Sequence, residues 1–347
     1  MPPRDILCII VARIGDTLLV TPTLHALRQT WPEVRLHVVA HPKQMDLLKN
    51  NPDITRLRGF TKKSACFKGW TTSLGGLRKP MDLALVYGAD PALFRYARRM
   101  ANRVIGFQSN NDGINALMHD CVAPAPEPMQ AVEDRALLLG PLGIPLSQRR
   151  LRYRPFEWEP SWITNWLREK AGITEDTLLI GIQANSFPTK AYRNLPPTMV
   201  RTILAGLPER YTGARILLLG GAKDRERNQA IAATLGPRAL DVSGQFKLRL
   251  AAALIGRLDL YIGVDTGPTH IAGCFDLPMV ALYHCKHPGR NLMPLDRPRC
   301  VIVEHPGTGA DCPEERSLAD IPMDRIHAAI SRVCHPKLDS RASANPL

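Results

Sequence analysis

Short apolar runs alternate with helical patterns along both halves of the chain. In the first half, residues 6–12, 34–40, 82–87 and 103–107 are rich in β-branched side chains and predict strands. Between the first two, Leu18, Leu19, Leu24 and Leu27 recur at helical spacing, and Pro32 follows the helix end. Strand–helix alternation of this kind predicts a doubly wound parallel sheet. Pro124, Pro126 and Pro128 make the next stretch extended, and a helix is expected over 134–142.

The second half repeats the grammar. An opening helix with Ser161 as its cap is expected to run to 171. Strands are predicted over 178–183, 215–220, 258–264, 279–283 and 300–303. Helices are predicted over 196–209, 225–235, 248–255, 269–275 and 323–333. The expected architecture is α/β, two Rossmann-like domains facing a central cleft. They are residues 1–155 and 156–335, followed by a disordered tail over 336–347.

A chain of 347 residues suits two domains. Hydrophobic content of 45% and charged content of 22% are those of a soluble globular protein. The net charge of +13 changes the picture, because surplus Lys and Arg call for an anionic partner. No apolar run approaches the ~20 residues needed to span a bilayer, and the chain is expected in the cytoplasm. The 8 cysteines form no C-x-x-C pair, so most are expected as free thiols and no metal ligand is assigned. Cys285, Cys300, Cys312 and Cys334 fall in the last quarter and could approach in space, but their spacing supports no metal site.

The segment Asp259-Leu-Tyr-Ile-Gly-Val-Asp-Thr-Gly-Pro-Thr-His-Ile-Ala272 reads as a strand, a polar turn and a helix. Asp265, Thr266 and Gly267 occupy the turn, with Pro268 at the first helical position and His270 one turn in. A strand end followed by helix N–H groups is where α/β proteins hold phosphates. Lys190 follows the first strand of the second half, on a loop with Ser186 and Thr189, where a lysine can neutralise a leaving diphosphate. The plain alternative is one more exposed lysine. Gly220-Gly-Ala-Lys-Asp-Arg-Glu226 follows another strand, where Asp224 or Glu226 could hold ribose hydroxyls. Asp224 could equally be a helix cap. Phe246 could stack on a base or simply pack. In the first half, Asp16 follows the first strand and reads either as a helix cap or as a carboxylate that removes a proton from a nucleophile. Arg13 beside it could bind an anionic acceptor. No G-x-G-x-x-G, G-x-S-x-G or H-E-x-x-H occurs.

Three stretches together resemble glycosyltransferase family 9, the bacterial lipopolysaccharide heptosyltransferases. They are Arg13-Ile-Gly-Asp-Thr-Leu-Leu-Val-Thr-Pro-Thr-Leu24, Phe187-Pro-Thr-Lys-Ala-Tyr-Arg193 and Gly263-Val-Asp-Thr-Gly-Pro-Thr-His-Ile-Ala272. The likeness runs over nearly the whole chain. It implies a GT-B fold, an ADP-heptose donor and inverting transfer without a metal or other cofactor. Asp16 becomes the candidate base. Lys190, Ser186 and Thr189 become the diphosphate clamp, with Asp265, Thr266, Gly267 and His270 completing it. Asp224, with Glu226 as fallback, becomes the ribose acid, and Phe246 takes the adenine side. The implied acceptor is lipopolysaccharide inner core at the inner membrane, a peripheral contact with Arg13, Lys62 and Lys63 as acceptor-binding candidates. His284-Cys-Lys286 departs from the family's pattern. The rival readings are a GT-B transferase using another nucleotide sugar, a non-catalytic nucleotide-sugar binder, and a nucleic-acid binder, which lacks any recognisable module.

Overall fold

β1 (Asp5–Ile10) is buried from Ile6 to Ile10, and its alternate residues enter different cores. Ile6, Cys8 and Ile10 pack with Leu24, Leu27 and Leu85, while Leu7 and Ile9 pack with Phe94 and Tyr96. A strand apolar on both faces needs cover on both faces, which a parallel sheet flanked by helices supplies. The computed structural model describes residues 1–61, 63, 80–309, 312–313 and 315–334, and the chain divides into two units at Arg154/Pro155.

In the first unit β1 is joined by β2 (Arg35–Ala40), β3 (Arg56–Gly59), β4 (Met81–Val86), β5 (Ala101–Phe107) and β6 (Asp120–Val122). Their order is β3-β2-β1-β4-β5-β6, with every pairing parallel. The register sets Ile10 opposite Ala40 and Ile9 opposite Val86, so the carboxyl ends of the central strands lie level. The second unit carries β7 (Leu179–Gln183), β8 (Arg215–Leu218), β9 (Ala239–Asp241), β10 (Leu260–Val264), β11 (Met279–Tyr283) and β12 (Cys300–Glu304). The order β12-β11-β10-β7-β8-β9, again all parallel, is the same winding as the first sheet. Every residue of β7, β10 and β11 is buried.

The predicted strands are present. The pattern gave no signal for β3, β6 and β9, edge strands of three or four residues that carry no fully buried position. Short, polar edges suit a strand that must not recruit another chain, and they erase the apolar signature.

Helix ends differ from expectation for local reasons. The helix expected over 134–142 starts earlier, at Ala131, and becomes a 3₁₀ turn over Leu137–Leu142 that contains Pro141 and stops at Gly143, φ 66°. The helix expected to 209 is Pro197–Ala205, followed by Gly206 and Pro208. The helix expected at 269–275 is Gly267–Ala272, with Thr266 as its cap and Pro268 in its first turn rather than at its first position.

Ser161 does not cap the opening helix, which spans Trp158–Ala171. Glu159 sits in its first turn, fully buried, and accepts the Phe156 N–H at 2.8 Å. Arg249, from the helix Leu248–Gly256, donates to the same carboxylate through Nε at 2.6 Å and Nη2 at 2.8 Å. The Arg249 guanidinium also stacks 4.3 Å from the Phe156 ring centroid. This two-pronged pair locks the opening helix onto the helix that follows β9.

Candidate functional site

Both sheets reverse their winding between two central strands, β1 and β4 in one unit, β7 and β10 in the other. At such a switch point the loops leaving the carboxyl ends part to opposite faces and leave a crevice for ligand. The loops after β7 and β10 carry half of the expected site residues.

Asp265 and Thr266 leave β10, both buried at 8% exposure. Arg193, 6% exposed, reaches across from the loop after β7 and donates through Nη1 to Asp265 Oδ2 at 2.6 Å and to the Asp265 carbonyl at 3.1 Å. His270 Nε2 lies 3.9 Å from Asp265 Oδ1. Thr269 Oγ1 donates to the Val264 carbonyl at 2.6 Å and meets Tyr261 Oη at 2.9 Å, which pins the Gly267–Ala272 helix to its strand.

The loop after β7 turns at Ser186, whose N–H donates to Asn194 Oδ1 at 2.6 Å. Thr189 is exposed, and Lys190 is half-buried in the 3₁₀ segment Pro188–Arg193 with φ −133° and ψ 37°. Four buried polar atoms here have no hydrogen-bond partner among the described residues: Gln183 Oε1, Asn185 Oδ1, Ser186 Oγ and Arg193 Nε. An unsatisfied buried polar group costs about 1–3 kcal/mol, so this cluster is poised for a polar ligand.

The field at this edge is positive. Burial first, then the charges of Arg193, Lys190, His284 and Lys286, hold His287 down to about 4. His287 Nε2 faces Tyr192 Oη at 3.3 Å. A histidine that prefers its neutral form stabilises the fold fully above its ordinary pKa near 6.5. That contribution fades as pH falls from there towards 4, because the unfolded chain takes up the proton first. NMR titration is expected to give His287 a midpoint near 4, and Lys190→Ala should raise it. An unchanged midpoint would place Lys190 elsewhere.

The loops after β8 and β9 supply the next wall. Asp224 does not cap the helix Arg225–Leu235 with its side chain. Its Oδ2 turns back to accept the Gly221 N–H at 2.8 Å, and burial raises its pKa. Glu226, in the first turn of that helix, is exposed. Phe246 packs edge-on to Trp166 at 4.7 Å and to Trp162 at 6.2 Å between ring centroids. It also lines an apolar recess with Leu219, Val242, Leu254, Ile255 and Pro268. The recess runs from Phe246 to Pro268, in the first turn of the helix that begins at Gly267.

Asn228, fully buried, ties these loops together. Its Oδ1 accepts from Asn185 Nδ2 at 2.7 Å, and its Nδ2 donates to the Leu219 carbonyl at 3.0 Å and to Ser243 Oγ at 3.3 Å. Gly244 next to it has φ +68°, and an added Cβ would lie 2.7 Å from Ala222 Cα. Gly244→Ala is therefore expected to lower stability by about 1–2 kcal/mol, a melting-point drop of a few degrees, and to spread the two loops so that nucleotide binding weakens. Unchanged melting and nucleotide affinity would show that these loops give way freely.

In the first unit, Asp16 is not a helix cap. Arg13 occupies the cap position of the helix Ile14–Leu19, and Asp16 lies in its first turn. The Asp16 side chain is 43% exposed and meets Arg135 Nη2 at 3.4 Å. Arg135 also pairs with Asp134. A carboxylate in a first turn is favoured by the helix dipole, and this one keeps an open side while Arg135 orients it. Arg13 and Lys63 are exposed, and Lys62 lies outside the described residues.

Four site residues carried no sequence signal of their own: Arg193, Asn185, Asn228 and Arg135. Arg193 stood in a quoted motif, but only the fold brings it to Asp265. Asn185 and Asn228 are 43 residues apart and meet only because β7 and β8 are neighbours.

The family model for glycosyltransferase family 9 (heptosyltransferase) matches residues 205–318. A curated relative, lipopolysaccharide heptosyltransferase 3 of Escherichia coli, is 25% identical over 285 residues, 78% of this chain and 80% of the relative. Among solved structures, a family 9 glycosyl transferase from Veillonella parvula superposes with a TM-score of 0.81 at 20% identity, covering 96% of this chain and 98% of that one. The E. coli ADP-heptose lipopolysaccharide heptosyltransferase II gives 0.75 at 19% identity, covering 97% and 99%. The superpositions identify the fold as GT-B. With the family match over residues 205–318 and the curated relative, they make the chain a glycosyltransferase similar to those of family 9.

Proposed function

We propose that this chain transfers a heptose from ADP-L-glycero-D-manno-heptose to a Kdo or heptose of the lipopolysaccharide inner core, inverting the anomeric carbon. The observation that carries this reading is the cationic, ligand-poised edge of β7 and β10. Lys190 and Arg193 gather there beside unsatisfied buried polar atoms, and the apolar recess at Phe246 reaches Pro268 in the helix that follows β10. The names of the relatives support the donor and acceptor classes.

In this mechanism the acceptor hydroxyl gives its proton to Asp16 and attacks the anomeric carbon from the face opposite the diphosphate. Negative charge then builds on the leaving ADP. Lys190 and the N–H groups at Thr266 and Gly267 stabilise it, so no divalent ion is needed on the diphosphate. Ser186 and Thr189 donate to phosphate oxygens. Asp265 is held by Arg193 and sets the position of His270 beside the sugar-phosphate. Asp224, or Glu226 next to it, takes the ribose hydroxyls, and adenine enters the recess against Phe246.

The acceptor is anionic, and Arg13, Lys62 and Lys63 are the groups proposed to meet it. Among the described residues no helix is long and apolar enough to cross a membrane. Reversible attachment to the anionic cytoplasmic face of the inner membrane needs only a few basic residues, each worth about 1 kcal/mol near such a surface.

The test is to incubate the protein with ADP-heptose and truncated core acceptors, then weigh the products. One added heptose, formed without Mg²⁺, is expected. Preference for a UDP-sugar would remove the donor assignment, and donor binding without any product would favour a non-catalytic binder.

A further inference from the structure

β11 ends at Tyr283, and the next two residues, His284 and Cys285, are buried at 1% and 4% exposure. Cys312 returns to the same place, and the structure joins Cys285 and Cys312 as a disulfide with Cα atoms 5.8 Å apart. His284 Nδ1 lies 3.9 Å from each of the two sulfurs, and the three atoms all fall within 4.8 Å of one another. The other ring nitrogen, Nε2, donates to the Arg316 carbonyl at 2.9 Å. That bond fixes the tautomer and leaves the lone pair on Nδ1, where it accepts the Lys286 N–H at 3.2 Å. A carbonyl on the far N–H is the arrangement that orients metal-binding imidazoles. A cation on Nδ1 takes the place of the Lys286 N–H there; the neighbouring His305 is held in the same way, Nδ1 by the Gly307 N–H at 2.9 Å and Nε2 with Asp320 at 3.3 Å.

We propose that, in the reduced protein, Cys285 Sγ, Cys312 Sγ and His284 Nδ1 bind a soft divalent cation of the Zn²⁺ class. Two thiolates and one imidazole are the donor set such ions select, with a fourth position left for water. Metal–sulfur bonds of about 2.3 Å at a tetrahedral angle set two sulfurs roughly 3.8 Å apart, a spacing the side chains reach from the disulfide by rotation. The disulfide is the metal-free, oxidised form of the same site. A dithiol reduces it by supplying two electrons and two protons, and cation binding then expels both thiol protons to solvent. In the opposite sense, a small-molecule disulfide RSSR accepts the electron pair, departs as two RS⁻, and the cation is released as the Cys285–Cys312 bond forms.

The site has a mechanical consequence. The His284 ring packs edge-on against Tyr192, 4.7 Å between centroids. Tyr192 adjoins Arg193, which holds Asp265. A bound ion therefore braces the loop after β7 from behind, whatever nucleotide sugar that loop receives.

The test uses Co²⁺ as the probe on the full chain, reduced and kept anaerobic. One Co²⁺ per chain is expected, with intense thiolate-to-cobalt charge-transfer bands in the near ultraviolet and the visible bands of a tetrahedral ion, all bleached by Zn²⁺. The bands should vanish in Cys312→Ser and in the oxidised wild type, and persist in Cys121→Ser. Absence of the bands from the reduced wild type would overturn the proposal. So would equal binding by the oxidised wild type, a comparison that needs no variant to fold.

Discussion

Asp16→Asn is expected to lower turnover about 10²–10⁴-fold, the usual contribution of a positioned base, with ADP-heptose affinity essentially unchanged. The substitution keeps the shape of the side chain and its place in the first turn of the Ile14–Leu19 helix, but it removes the basic oxygen. Arg135 then faces an amide instead of a carboxylate. Because Asp16 is 43% exposed, the fold gives up little, and the melting temperature should scarcely move. Single-turnover kinetics beside calorimetric donor titration separate the two effects. Normal turnover in the variant would remove Asp16 as the base, and a parallel loss of donor affinity would make it a binding residue instead.

Glu159→Ala is expected to destabilise the second unit by about 3–5 kcal/mol, the cost of leaving a buried charge without its partner. Glu159 is fully buried and Arg249 is 8% exposed, so solvent cannot replace the lost carboxylate. The damage should reach the nucleotide side, because Arg249 lies on the Leu248–Gly256 helix, which supplies Leu254 and Ile255 to the recess beside Phe246. Adding Arg249→Met should recover part of the loss, since it removes the buried guanidinium that the first substitution leaves unpaired. Urea unfolding of the two single variants and the double variant checks this. Additive losses would mean that the pair is not coupled.

Both sheets were legible in the sequence because parallel strands buried on both faces leave near-continuous apolar runs, as in Leu-Ile-Gly-Ile-Gln183 and Leu-Tyr-Ile-Gly-Val264. The edge strands β3, β6 and β9 were not, because nothing at Arg56–Gly59, Asp120–Val122 or Ala239–Asp241 must be fully buried. Helix starts misled where the group that takes up the leading N–H lies inside the first turn instead of ahead of it. Ser161 looks like a cap, but the helix begins three residues earlier, where the buried Glu159 takes up the Phe156 N–H.

The candidate site shows the same division. Lys190 and the Asp265–His270 turn could be read from strand ends, because chain direction alone places them at one edge of the sheet. Arg193 could not, because its role rests on a reach of 72 residues along the chain to Asp265. The Cys285, Cys312 and His284 grouping was hidden for a similar reason. Its cysteines are 27 positions apart, outside any short metal-binding spacing, and only the return of the chain after β12 brings them together.

The account depends most on the diphosphate lying where β7 and β10 end. Calorimetric titration of ADP and UDP into the wild type and Lys190→Ala tests this directly. ADP is expected to bind the wild type more tightly than UDP, and the variant about 10–100-fold more weakly, as befits loss of one charge-assisted contact of roughly 1.5–3 kcal/mol. Equal ADP affinity in the two proteins, or a preference for UDP, would contradict it.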